Sequence, residues 1–410
     1  MPRVVHVLRK FEPEQWGGIE THLMGLLPEL ARLGWESEVH APQERGTDGG
    51  ALTAIGAAFR TFRARYPYLP MRERDRAAMV ASGGNLVSPG ELARLLSNRR
   101  ASIFHVHTQG RLGGTVRTAA RLTARPYATT LHGPVLSHAH LVEKEALRRT
   151  RGLVDLGKPY GWAVGARRVV DDADLVFVLN RSERDGWKAR RDGRHLELVC
   201  HGVSSERAST QARQDARAGI PGLGHAPFVV MVGRLDRGKG QDIAVEAFLR
   251  AAPQPMHLVL AGAATDEVFA RQIGAMAAAA SGRVHAVGGV TPATARALLA
   301  ESVLALIPSR AEPFGIVLLE AWAEGTAALF SNVDGLADIA RDSNAPFGIV
   351  RANDEACWAR RLDQVLGDPV ELDRERRAGP ARVARDYCWS ALATRTAAAY
   401  RTAVLARVAA

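Results

Sequence analysis

The stretch Pro308-Ser309-Arg310-Ala311-Glu312-Pro313-Phe314-Gly315-Ile316-Val317-Leu318-Leu319-Glu320-Ala321 decides how this chain is read. Before it, Val303-Leu304-Ala305-Leu306-Ile307 has the apolar character of a buried strand, and after the Phe-Gly turn Ile316–Glu324 opens as an apolar helix. The run is therefore a strand–loop–helix junction. The first helical N–H groups have no internal partner there and carry partial positive charge, which suits an anion such as a diphosphate. Glu312 and Glu320 stand eight positions apart, on either side of that turn. An ionised carboxylate only accepts hydrogen bonds, so the pair suits hydroxyl groups flanking the diphosphate. Diols on both sides of a diphosphate are the chemistry of a nucleotide sugar.

Working back along the chain, Gly233-Arg234-Leu235-Asp236-Arg237-Gly238-Lys239-Gly240 follows the apolar run Phe228–Val232 and precedes a helix, Gln241–Ala251. Two cations among glycines after a strand end make a phosphate site, with Lys239 as a point charge and Arg234 as a fork. The spacing is not that of a Walker loop. Further back, Trp16-Gly17-Gly18-Ile19-Glu20 joins the first strand to a helix, where paired glycines let a ligand touch backbone amides; a plain tight turn is the competing reading. His132 ends the strand Tyr127–Leu131, placed either to bond a sugar or to pack in the core. His105 and His107 end another strand and alternate onto one face of it; no third metal ligand is evident beside them. Asp172-Ala173-Asp174 reads as a helix-terminating turn rather than a metal motif.

Short apolar strands alternate with amphipathic helices throughout, which implies α/β architecture with parallel sheets covered on both faces. In the first half the strands are Val4–Leu8, Glu38–Ala41, Ile103–His107, Tyr127–Leu131, Leu175–Leu179 and Leu196–Cys200. Residues 43–90 read as an irregular excursion carrying a helix. Gly202–Pro227 reads as a connection, and a second βα series runs from Phe228 to Ser331 before a helical end from Glu355. The expected domains are 1–205, a linker at 206–226, and 227–388, with a last helix at 389–410 packing back on the first domain. Ligands of such sheets bind at the carboxyl ends of the strands, so two such domains would face a shared central cleft.

Composition narrows the function. The chain has 410 residues, 47% hydrophobic and 24% charged, with no apolar run long enough to span a bilayer. Its three cysteines lack any metal spacing and fit a reducing cytosol, so a cytoplasmic place, or a peripheral one at the inner membrane face, is expected. The net charge of +11 is uneven: residues 1–200 hold 31 Lys and Arg against 21 Asp and Glu, whereas residues 201–410 hold 23 against 22. The surplus points to an anionic partner or a membrane face. A coding bias toward arginine reads equally well, since only five of the 54 basic residues are Lys. Nucleic acid is not expected, because aromatics are 6% and no helix-turn-helix, zinc-finger or RNP-like pattern occurs.

Taken together, these motifs resemble the retaining nucleotide-sugar glycosyltransferases of the GT-B fold, family GT4. The resemblance runs in order through Gly17-Gly18, His105-Val106-His107, His132-Gly133, His201-Gly202-Val203, Arg234…Lys239-Gly240, Glu312-Pro313-Phe314-Gly315…Glu320, Asn332-Val333-Asp334-Gly335-Leu336 and Tyr387-Cys388-Trp389-Ser390. His201 stands where the family often has Asn. The resemblance implies two Rossmann-like domains and transfer of a hexose from a nucleoside diphosphate sugar, UDP by default, to a hydroxyl of a glycan, glycolipid or small molecule. It implies that Arg234 and Lys239 neutralise the diphosphate and that Glu320 holds the ribose. Glu312 would hold the donor sugar, with the amides of Phe314, Gly315 and Ile316 meeting sugar and phosphate. Gly17 and Gly18 would close from the other domain, and His132 would lie near the reacting carbon. His107 and Gln109 are candidates for acceptor contact. No cofactor and no metal are implied. A sugar-nucleotide epimerase or hydrolase of the same fold, or a non-catalytic basic binding protein, are the competing readings.

Overall fold

Strand β1 (Arg3–Val7) sets the pattern of the N-terminal half in this computed structural model: Val4 and His6 face one side, Val5 and Val7 the other, and all four are buried. The structure describes all residues except 12–17, 45, 74–75, 77–78, 80–84, 133–152, 191–194, 200, 252, 352 and 410. The chain divides into two compact units, Met1–Cys200 with Trp389–Ala410, and His201–Cys388.

In the first unit β1 is followed by α1 (Gly18–Arg32), β2 (Glu36–Pro42), α2 (Gly50–Ala54), β3 (Ala58–Phe62), β4 (Tyr68–Leu69), α3 (Pro89–Ser97), β5 (Ile103–Val106) and α4 (Gly110–Leu122). Then come β6 (Tyr127–Leu131), β7 (Val154–Asp155), α5 (Lys158–Ala163), β8 (Leu175–Val178), α6 (Arg181–Lys188) and β9 (His195–Leu198). The main sheet is parallel with order β3-β2-β1-β5-β6-β8-β9. Strand order reverses between β1 and β5, and at such a switch point the carboxyl ends of the strands leave a crevice for ligand. One face of the sheet packs Val4, Leu8, Phe177 and Val39 against Leu23, Leu26 and Leu30 of α1. The other packs Val5, Val7, Phe104 and Val106 against Leu112 and Val116 of α4.

The second unit carries α7 (Thr210–Ala218), β10 (Phe228–Val232), α8 (Gln241–Ala251), β11 (His257–Ala261), α9 (Glu267–Ala278), β12 (Val284–Gly288), α10 (Pro292–Glu301) and β13 (Leu304–Ile307). It continues with α11 (Ile316–Glu324), β14 (Ala328–Ser331), α12 (Asp334–Asp342), β15 (Ile349–Val350), α13 (Glu355–Leu366) and α14 (Pro369–Asp386). Its sheet has the order β12-β11-β10-β13-β14-β15, again with the reversal beside the first strand of the unit. The last helix, α15 (Trp389–Ala409), belongs to the first unit, where it packs on α1 and buries Leu392, Ala393 and Tyr400.

Three stretches differ from their sequence appearance. Within 43–90, Ala-Phe-Arg-Thr-Phe forms β3, whose mixed exposure is that of an edge strand rather than of a core run. The connection at 202–227 contains α7, capped by Ser209, whose hydroxyl accepts from the Ala212 N–H. Residues 334–342 form α12 although they open with Asp334 at φ 37° and with a glycine.

Candidate active site

In the second unit the loops after β10 and β13 leave the two strands that flank the switch point. Gly240 lets them touch. Its φ is +81°, and a Cβ there would lie 2.2 Å from the Pro308 carbonyl oxygen. The contact is reinforced by Arg310, whose backbone N–H donates to the Gly238 carbonyl at 2.8 Å and whose guanidinium grips Asp242 through two 2.9 Å bonds. The loops so joined bring Lys239 Nζ to 2.6 Å from Glu312 Oε2, and Ser309 donates to the same oxygen at 3.2 Å. The pair is partly accessible, with Lys239 and Glu312 side chains 22% and 12% exposed.

Glu312 is also fixed through its backbone. Its N–H donates to Asp334 Oδ2 at 3.3 Å, and its carbonyl accepts from the Gly335 N–H at 3.1 Å. Gly335 has no room for a side chain, since a Cβ would come within 2.4 Å of Phe314 Cα. Gly315, at φ +102°, is the N-cap of α11 and has no side chain to satisfy the first N–H groups of that helix. Phe314 is buried, its ring 5.2 Å from His201 and 6.4 Å from Tyr387, so an aromatic group props the turn from beneath. His201 is held neutral there, pushed down to about 4 by burial.

Arg234 points outward from its loop with its side chain 66% exposed and Asp236 3.7 Å away. Glu320, on α11, departs from the picture of a plain acceptor. Desolvation pushes its carboxyl up to about 7, with the Arg296 guanidinium opposing the shift and the Glu324 carboxylate adding to it. Near neutral pH it therefore sits between donor and acceptor.

In the first unit the polar cluster is of another kind. His6 and His105 are cross-strand partners on β1 and β5, and His107 extends the same face. His6 Nδ1 lies 3.0 Å from His107 Nε2, and His107 Nδ1 lies 2.9 Å from His132 Nε2. His105 is bonded to Tyr400 Oη of α15 at 2.6 Å and to Thr130 Oγ1 of β6 at 2.7 Å. His22 of α1 stands edge-on to His132, with ring centroids 6.0 Å apart. Gln109 is the N-cap of α4, its amide 3.5 Å from the Thr130 carbonyl.

This geometry changes two expectations. His107 is 3% exposed with both ring nitrogens engaged by His6 and His132, which leaves neither nitrogen for direct contact with an acceptor. A third imidazole does accompany His105 and His107: His6 brings ligand atoms of all three within 4.8 Å of one another. The Asp172-Ala173-Asp174 turn is structural. Asp172 pairs with Arg117, Arg121 and Arg168, while Asp174 accepts from the Tyr127 N–H at 3.0 Å. Gly18 is the first residue of α1; Gly17 and Gly133 lie outside the described residues.

The sequence matches the model of the group 1 glycosyl transferases over residues 213–382 and that of the glycosyl transferase 4-like domain over 17–202. The chain belongs to this glycosyltransferase family. It is 27% identical to alpha-maltose-1-phosphate synthase of Mycolicibacterium smegmatis over 97% of this chain and 99% of that protein. It is 28% identical to D-inositol 3-phosphate glycosyltransferase 1 of Catenulispora acidiphila, over 82% and 80% of the two chains. Among solved structures, Anabaena HepE in complex with UDP and glucose superposes with a TM-score of 0.71 at 16% identity, covering 98% of this chain and all of that one. The fold of this glycosyltransferase is thus GT-B, with a Rossmann-like parallel sheet in each unit. Ser309, Arg310 and Asp334 lie in motifs quoted above but had no role assigned there, and Asp242 and His6 lay in none; only the register of neighbouring strands and loops shows what they touch.

Proposed function

We propose that this glycosyltransferase moves a hexose from a nucleoside diphosphate sugar to a hydroxyl of a negatively charged acceptor, with retention at the anomeric carbon and without a divalent metal. The observation that carries the donor half is the Lys239–Glu312 pair at the start of α11. An arriving diphosphate takes Lys239 and the exposed Arg234 as counter-charges, and Glu312 is released to accept from sugar hydroxyls. As the anomeric C–O bond breaks, negative charge grows on the leaving phosphate, and stabilising it is the largest catalytic contribution available. Each charge-assisted contact adds about 1.5–3 kcal/mol, ten- to a hundredfold in rate. The acceptor oxygen bonds to the anomeric carbon on the face the phosphate leaves, and its proton passes to that phosphate. No carboxylate nucleophile is needed. UDP is the first donor to try, because HepE was solved with it.

The acceptor half rests on charge. The +10 surplus of residues 1–200 favours an anionic acceptor, and one relative's name carries D-inositol 3-phosphate. Presentation at a membrane surface is supported by Leu69, Val154, Leu156 and Trp162, which are 54–89% exposed. Leu69 sits opposite Val154 in the β4–β7 pair. No helix among the described residues is long and apolar enough to cross a membrane, so such contact would be peripheral, at the inner face.

The test is incubation with UDP-, GDP- and ADP-hexoses and a panel of neutral and phosphorylated acceptors, read by mass spectrometry. The anomeric configuration of product is read by NMR, and activity is measured with EDTA. A product of inverted configuration or an EDTA-sensitive rate restored by Mg²⁺ contradicts the respective part. Conversion of donor without acceptor points instead to an epimerase or hydrolase. Flotation with anionic vesicles decides the membrane version.

A further inference from the structure

Arg234 and Lys239 stand on a loop that the first turn of α8 holds at both ends. Gln241 opens that helix, 1% exposed, and its amide nitrogen donates to the Arg234 carbonyl at 2.8 Å and reaches the Gly233 carbonyl at 3.5 Å. Its Oε1 is buried without a partner among the described residues. An unmade buried acceptor costs free energy, so what the amide contributes here is its donor half. At the other end of the loop, Arg310 Nη1 donates to the Arg237 carbonyl at 2.7 Å, beside the bond from its N–H to Gly238 and its fork on Asp242. Lys239 follows directly, its own N–H turned back onto the Asp236 carbonyl at 3.0 Å. Arg310 also stands two residues before Glu312, so one side chain ties the Lys239 loop to the Glu312 loop.

We propose that Gln241, Asp242 and Arg310 are positioning residues of the donor site: Gln241 aims Arg234, the Arg310–Asp242 clamp aims Lys239, and Arg310 itself is no phosphate ligand. By sequence alone Arg310 looks like a third cation for the diphosphate. In the structure the Asp242 carboxylate matches its charge through both η nitrogens, at 2.9 Å each. What works is the planar fork, which reaches a carboxylate and a backbone carbonyl at once. A lysine at this position carries the same charge without the fork. This role rests on the reading of Arg234 and Lys239 as counter-charges of a diphosphate.

Affinity of the full chain for UDP, GDP and ADP, read by calorimetry, needs no acceptor. For the nucleotide that binds, Arg310→Lys should weaken affinity about tenfold at unchanged charge, the worth of one hydrogen bond, and Gln241→Leu about threefold. Asp242→Asn separates the two roles by sign. It frees Arg310 and removes a negative charge, so a phosphate-binding Arg310 would hold the nucleotide more tightly, whereas a broken clamp loosens it. Each variant is then combined with loss of the cation it serves. In a Lys239→Ala background Arg310→Lys should cost less than about twofold, because nothing remains to be aimed; general damage to the fold would cost about tenfold again. Gln241→Leu should likewise be silent in Arg234→Ala. Should Arg310→Lys fail to fold, Asp242→Asn runs the same cycle. Near wild-type affinity in Arg310→Lys, tighter binding in Asp242→Asn, or additive losses in either cycle overturns the positioning role alone. No binding of any of the three nucleotides, or affinity untouched by Lys239→Ala in a folded protein, refutes the diphosphate reading and the positioning role with it.

Discussion

The two units solve the same architectural problem with opposite electrostatics. Each is a parallel sheet whose strand order reverses beside its first strand, and each gathers polar groups at the strand ends there. The first unit uses neutral imidazoles, buried, bonded to one another and covered by α1 and α15. The second uses full charges on loops, Lys239, Glu312 and Arg234, within reach of solvent. Burying charge is costly unless it is paired, whereas a neutral ring needs only its hydrogen bonds. An anionic leaving group calls for the second device, and precise aim of a weakly polar contact for the first.

The contrast breaks most readily at Lys239. Lys239→Ala should lower turnover by about a hundredfold or more, the scale for removing one preorganised charge stabiliser, while circular dichroism shows an unchanged fold. Near-normal turnover in a folded Lys239→Ala protein would remove the second unit's charge from the chemistry. Next comes the glycine that joins the two loops. Gly240→Ala combines a positive φ with a clash on the Pro308 carbonyl, and a loss of about 2 kcal/mol in stability is expected by urea unfolding, together with weaker donor binding. An unperturbed Gly240→Ala would mean that close approach of the loops is not what sets the Lys239–Glu312 distance.

The smallest effect sharpens the comparison at Glu320, an acid of the second unit whose carboxyl desolvation raises, as it lowers the imidazoles of the first. Its folded value of about 7 lies above the ordinary glutamate value, so its contribution is fully present below pH 4.5 and is lost as pH rises through 7. Glu320→Gln should therefore match wild type in thermal stability at pH 4.5 and exceed it at pH 8. Equal melting temperatures at both pH values would place Glu320 in a solvated setting instead.

Much of this was legible from the chain. The β10, α8, β11 and α11 ranges and the order of the motifs follow from apolar runs of strand length broken by glycine loops, because a strand buried on both faces has no other composition available. The edge strand β3 was not legible, since Ala58 and Arg60 are exposed, only Phe62 is buried, and its partner β2 lies 20 positions upstream in every pair of the register, from Glu38–Ala58 to Pro42–Phe62. Helix α12 was hidden by its unusual opening residues. At the site, Lys239 and Glu312 announced themselves through motifs, whereas Asp334, Ser309 and Asp242 matter only through what they touch.

The sequence by itself determined the α/β class, the family and the candidates for a diphosphate site, because periodicity, glycine placement and charge are local properties of the chain. Tertiary structure alone decided that His6 stands behind His107 and that desolvation raises the Glu320 carboxyl. It also decided that Lys239 is paired with Glu312 across 73 positions. Those facts depend on strand order, register and burial, and these arise only when segments distant in sequence share one low-dielectric interior.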